Sequence, residues 1–131
     1  MHAGARRQCL WRILAGTVSA VLMLGVAWAH PKLVRSRPAV NASLADPPAR
    51  IQVWFHEELD TRGSRLTVWN AQRAQVDHGN STVSLDDRTL IEVGLKPLGP
   101  GKYTVKWRAM ADDDKGVTQG EFTFTVLARK P

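Results

Sequence analysis

The sequence predicts an all-β protein, an antiparallel β-sandwich of about seven short strands. Three observations lead there. Apolar residues alternate with polar ones in short runs, turn-forming clusters separate those runs, and no stretch after the first thirty residues carries a capped helical period. The clearest runs are Arg50–His56, with Ile51, Val53 and Phe55 on one face, and Gly101–Arg108, with Tyr103, Val105 and Trp107 on one face. Side chains two apart along a strand share a face, so each run buries one side and wets the other.

Taken in order, Leu33–Arg37 is the opening strand and Arg50–His56 the second. Weaker runs follow at Leu66–Trp69, Thr82–Leu85 and Leu90–Leu95, then Gly101–Arg108 and the closing Glu121–Val126. The breakers between them are Asp46-Pro47-Pro48, Thr61-Arg62-Gly63-Ser64, His78-Gly79-Asn80-Ser81 and Lys96 to Gly101. Pro and Gly set backbone angles that strands do not use, and Asn, Asp and Ser bond their own backbone in turns.

The first 29 residues read differently. Arg6, Arg7 and Arg12 precede an uncharged run, Ile13 to Ala29, and Ala27-Trp28-Ala29 places small residues at the two positions a signal peptidase reads. The expectation is a cleaved leader over residues 1–29 and one domain over residues 30–131, exported to the periplasm. A membrane anchor is the alternative, but the run is at the short limit for a hydrocarbon layer about 30 Å thick. A cut after Ala27 would leave Trp28 first. Three of the six net positive charges belong to the leader. The remaining basic residues are scattered, with no aromatic residues interleaved, so nucleic acid is not an expected partner. The single cysteine, Cys9, is also in the leader. The domain must therefore hold together in an oxidising compartment without disulfides.

A cut after Ala29 makes His30 the first residue. Its α-amine and imidazole can then close a chelate ring on one metal, a geometry suited to Cu(II) and its tetragonal nitrogen donors. Pro31 has no backbone N–H, so the metal cannot recruit that amide, and other donors must come from the fold. An α-amine titrating near pH 7.7–8.0 is deprotonated by a strong Lewis acid, and binding weakens as pH falls.

Four segments in order resemble the CopC-type periplasmic copper-resistance proteins: His30 to Ala39; Pro48 to Leu59 with its Phe55-His56-Glu57 step; Pro97 to Arg108 with Gly101-Lys102-Tyr103-Thr104-Val105-Lys106-Trp107-Arg108; and Gly120 to Val126. The likeness runs through residues 30–127. It implies a cupredoxin-like or immunoglobulin-like sandwich and a non-catalytic copper-binding role, as sequestration or delivery to an inner-membrane copper transport protein. It also implies ligands. Asp113 falls on the family's aspartate, Glu57 on an acidic position near the N-terminal site, and His78 near a histidine that some relatives carry in a methionine-rich Cu(I) loop. Lys115 falls where the family's second histidine is expected, and an ammonium with a pKa near 10.4 repels a cation. Met110 is the domain's one methionine, so a thioether site for Cu(I) is not expected. His56 reads as an exposed strand histidine, and Trp54, Trp69 and Trp107 as packing. Two further readings stand beside copper binding. One is a CopC-like scaffold that has lost the tight site. The other is an oxygenase using the same amine–imidazole pair, disfavoured because such enzymes need a larger scaffold with a flat aromatic face.

Overall fold

The computed structural model describes residues 30–130; the expected leader, 1–29, lies outside the described residues. Eight strands are present: β1 Leu33–Arg37, β2 Ser43–Leu44, β3 Arg50–Phe55, β4 Arg65–Trp69, β5 Thr82–Val83, β6 Leu90–Gly94, β7 Gly101–Met110 and β8 Val117–Val126. They form two four-stranded sheets, ordered β1-β3-β6-β5 and β2-β8-β7-β4. All pairings are antiparallel except β2 with β8. The sandwich expected from the alternation is therefore present, with one parallel edge.

The inward positions are those the period of two selects. Ile51, Val53 and Phe55 of β3 and Ile91 and Val93 of β6 face Leu66 and Val68 of β4, Tyr103, Val105 and Ala109 of β7, and Phe122, Phe124 and Val126 of β8 across one buried core. Apolar burial of this kind supplies about 25 cal/mol per Å², which is what a domain without disulfides must rely on. Tyr103 stacks on Phe124 at 5.4 Å, and its hydroxyl donates to the Gly99 carbonyl at 2.6 Å. Phe55 meets Trp107 edge-to-face at 5.2 Å, joining the two sheets near the end that carries residues 56–60. Trp54 points to the other face of β3, where the Arg35 guanidinium lies 3.9 Å from its ring.

Three elements differ from the sequence expectation. β2 is two residues long, too short to show a period, and is held by Thr125 N–H to the Ala42 carbonyl and Leu127 N–H to the Leu44 carbonyl. β5 stops at Val83, leaving Leu85 83% exposed. β8 begins at Val117, four residues before the alternation becomes visible, because it pairs with β7 without a break from Gly101↔Val126 to Met110↔Val117. Of the inward positions in that early part, Gly120 is the one where any Cβ would overlap the Trp107 ring. The missing side chain is filled by the indole opposite.

Candidate metal centre

Residues 30–32 lie across one end of the sandwich and are fastened to both sheets. Pro31 is fully buried, and its carbonyl accepts the Thr118 hydroxyl of β8 at 2.6 Å. Proline can be buried there at no cost in orphaned donors, since it has no N–H. Lys32 N–H donates to His56 Nδ1 at 2.9 Å, and His56 N–H donates back to the Lys32 carbonyl at 3.0 Å. His30 is exposed, and the segment that presents it is itself fixed.

Two loops form the floor. Asp60 N–H donates to the Met110 carbonyl at 2.8 Å, Asp112 N–H to the Glu58 carbonyl at 3.1 Å, and Leu59 bridges Ala111. Glu57, Glu58, Asp112 and Asp113 line a hollow of about 240 Å³ between them. Glu57 is the unusual member. Its Oε1 is buried and has no hydrogen-bond partner, although a buried polar atom without one is costly. Burial pushes the Glu57 carboxyl up from its ordinary value; His56 opposes this, while Asp113 and Asp114 push it further, and His30 also opposes it. Across the turn, the His30 imidazole and the Asp114 carboxylate flank Gly116. A Cβ on that glycine would stand 2.9 Å from His30 Nδ1 and 3.1 Å from Asp114 Oδ1.

The predicted ligands separate into two groups. His30, Glu57 and Asp113 come to one end of the molecule, where Glu57 feels the charge of the other two. His78 does not join them. Its N–H donates to the Gly94 carbonyl, and Gly94 pairs with Arg50 at the start of β3, whereas Glu57 follows Phe55 at the end of that strand. That is about 17 Å of strand at about 3.3 Å per residue. Asp112 is engaged elsewhere, with Arg88 at 3.4 Å and Lys115 at 3.6 Å. Lys115 is likewise engaged, its Nζ 2.9 Å from Asp60 Oδ2 and 2.7 Å from the Asp112 carbonyl.

His56 is exposed, as its place in the alternation predicts, and its bonding gives it a role that the alternation does not show. Nδ1 accepts a backbone N–H, so in the neutral ring the proton is on Nε2, which lies 4.0 Å from Glu57 Oε1. Ligation through Nε2 would require the proton on Nδ1, opposing Lys32 N–H. His56 thus positions the segment bearing His30 and presents an N–H toward the carboxylate. A backbone acceptor of this kind leaves no periodicity signal.

An imidazole with several carboxylates suits Cu(II) and other borderline cations, and a cation beside Glu57 would satisfy its orphaned oxygen and offset the crowding of carboxylates. Among the described residues, however, no three His, Cys, Asp or Glu side chains are gathered closely enough to hold a metal by themselves. The arrangement needs at least one further donor.

The comparisons agree with this geometry at the level of the whole fold. The chain is 33% identical to copper resistance protein C of Pseudomonas syringae pv. tomato over 114 residues, covering 82% of this chain and 89% of the relative. It is 33% identical to copper resistance protein C of Escherichia coli over 116 residues, covering 80% and 90%. A copper transport protein of Bacillus subtilis, CutJ, is 26% identical over 92% of this chain but only 22% of its own length. Among solved structures, CopC from Methylosinus trichosporium OB3b superposes with a TM-score of 0.68 at 21% identity, over 78% of this chain and 98% of that one. PcoC, described as a methionine-rich copper resistance protein from Escherichia coli, gives 0.60 at 30% identity, over 75% and 99%. With a CopC domain matching residues 33–127, through all eight strands but the last exposed residues, this chain belongs to the CopC family.

Proposed function

We propose that the chain is exported to the periplasm, cut after Ala29, and there binds one Cu(II) through the His30 α-amine and imidazole, with Glu57 and Asp113 as carboxylate donors. The observation that carries this reading is the buried, unpartnered Glu57 Oε1 on the floor beneath His30. The terminal amine is the donor that the cluster of side chains lacks. Pro31 and Lys32 hold that terminus over the floor through Thr118 and His56. The role is non-catalytic: sequestration for copper resistance, or delivery to an inner-membrane transport partner. The relatives named for copper resistance support the first. The longer relative named for copper transport, of which this domain corresponds to a fifth or so, supports the second. Met110 is packed against Gly63, and a single thioether does not make a Cu(I) site.

A second reading is favoured by one observation. Lys115, which the resemblance sets where the family's second histidine is expected, is committed to Asp60, so the chain is alternatively a CopC scaffold without tight copper binding.

The test is N-terminal sequencing of the exported protein followed by copper titration with paramagnetic resonance. A His30 start, one Cu(II) per chain and nitrogen hyperfine structure are expected. A different first residue, or a spectrum equal to that of copper in buffer, decides for the scaffold alone.

A further inference from the structure

The outer face of the second sheet carries a basic, aromatic surface that is invisible in the linear sequence. The β4–β7 register sets Arg65 opposite Arg108, Thr67 opposite Lys106 and Trp69 opposite Thr104. β8 adds Gln119 beside Arg108 and Glu121 beside Lys106. Two hollows, about 400 and about 260 Å³, share Trp69 and Lys106 and so form one groove along the face. Arg73 lies at one end of it, and the Arg65–Arg108 pair at the other.

The cations of this groove are not neutralised. Among the described residues, Arg65, Arg73, Lys106 and Arg108 take part in no ion pair, although Arg108 Nη1 donates to the Gly63 carbonyl, and Glu121 is the one carboxylate lining the groove. Arginines set directly opposite each other on a sheet repel and weaken it, so this face departs from what stability alone favours, as sites of interaction do. Trp69 is held in place, its indole N–H donating to the Thr67 hydroxyl at 3.0 Å, with the Lys106 ammonium 5.6 Å from the ring.

We propose that this groove binds an extended acidic segment of a protein partner. Carboxylates pair with Arg65 and Arg73, whose planar forks match them in two bonds, while Arg108, with one nitrogen on the Gly63 carbonyl, adds charge. The segment's backbone runs over Trp69, with Thr104 and Gln119 as donors and acceptors for its amides and the Asn70 amide as a donor, its oxygen being taken by Gln72 and Ala74 N–H. A concave, polar groove with a glutamate in its wall fits a peptide better than it fits a flat anionic bilayer. The Arg65–Arg108–Gln119 row adjoins Thr118, whose hydroxyl holds Pro31, so a partner seated there reaches the end of the molecule that carries His30. The surface is complete without metal, and the proposal does not rest on the copper reading.

Calorimetric titration of the purified protein, with chelator present, against a peptide alternating glutamate and threonine tests it. Binding is expected to fall steeply with added salt, and by about tenfold or more for each reversal in Arg65→Glu and Lys106→Glu, while Arg65→Glu, which relieves the repulsion with Arg108, melts no lower than the unchanged protein. Should the doubly reversed protein not fold, Arg65→Gln with Lys106→Gln reads the same loss. The proposal is overturned by an unchanged protein that ignores the peptide, by variants that bind it equally, or by anionic phospholipid vesicles captured with the same charge dependence while the peptide is not.

Discussion

The Lys115 ammonium lies 2.9 Å from the Asp60 carboxylate, and this one pair straps the loop after β3 to the turn between β7 and β8. Lys115 itself sits in the left-handed region, at φ 59°. Asp60 also accepts the N–H groups of Arg62 and Gly63, at 2.9 and 2.7 Å. The residue that takes the place of an expected histidine is therefore a strut, and it fixes the turn bearing Asp113, Asp114 and Gly116.

That strut sets the acid behaviour of the fold. The Lys115 hydrogen bond, helped by the two backbone N–H groups, lowers the Asp60 pKa from 3.8 to about 2. A depressed carboxyl stabilises the folded state above its unfolded value, and the contribution disappears as pH falls from 3.8 through about 2. Lys115 is raised above 10.5, chiefly by the bond to Asp60, and its contribution is present below that value and lost as pH rises through the folded one. Asp60→Asn keeps the acceptor for the backbone but removes the charge. Denaturant unfolding should show it less stable than the unchanged protein near neutrality, with the gap closing as pH falls through about 2. A gap that persists at the acid end would mean the pair is not its source.

How much of this was legible follows from which forces leave a pattern. Burial of one strand face writes a period of two, so the cores of β3, β6 and β7 were visible, as was the later half of β8. Val117 to Gly120 were not, because the core volume there is supplied by Trp107 from the neighbouring strand. His30, Glu57 and Asp113 were placed by the leader cut and by resemblance, and the topology does bring them to one end. His78 came from a loosely placed loop, and the fold sends it to the other end. His56 and the basic groove depend on hydrogen bonding and cross-strand register, which join residues distant in sequence.

Glu57→Gln separates folding from binding. Glutamine removes a charge whose burial is uncompensated, so the metal-free protein should be as stable as before or more so by denaturant unfolding. Copper affinity, measured by competition with a chromophoric chelator, should fall by at least about tenfold. Equal affinity would remove Glu57 from the ligand set.

Gly120→Ala tests the packing that opens β8. The added Cβ cannot coexist with the Trp107 ring as placed, and overpacking of a well-filled core costs about 1–3 kcal/mol. The expected result is a lower denaturation midpoint with a changed Trp107 indole N–H resonance. A midpoint unaltered by the methyl would show that the ring has room to move.

Gly116→Ala probes the opposite case, a close approach to a side chain at the exposed tip. Its Cβ would meet His30 Nδ1 at 2.9 Å, and the imidazole can swing away without disturbing the core. Stability should be unchanged while copper affinity falls, since the ring is displaced from its place beside Gly116. If affinity holds, the imidazole does not occupy this place when metal is bound.

His56→Ala distinguishes a positioning residue from a ligand. The substitution removes the acceptor of Lys32 N–H, a hydrogen bond of about 1 kcal/mol, and leaves the His56 backbone bond to the Lys32 carbonyl in place. The tether bearing His30 should loosen first, seen as faster amide exchange at Lys32 and Leu33 while exchange in β3 and β7 is unaltered. Copper affinity should fall as His30 spends less time over Glu57, yet the nitrogen hyperfine pattern of the fully loaded protein should be the same as before. A ligating imidazole behaves otherwise: its loss removes one nitrogen from that pattern at any loading. Fewer coupled nitrogens in His56→Ala would therefore place His56 on the metal and force the proton to Nδ1, against the bond to Lys32 seen here.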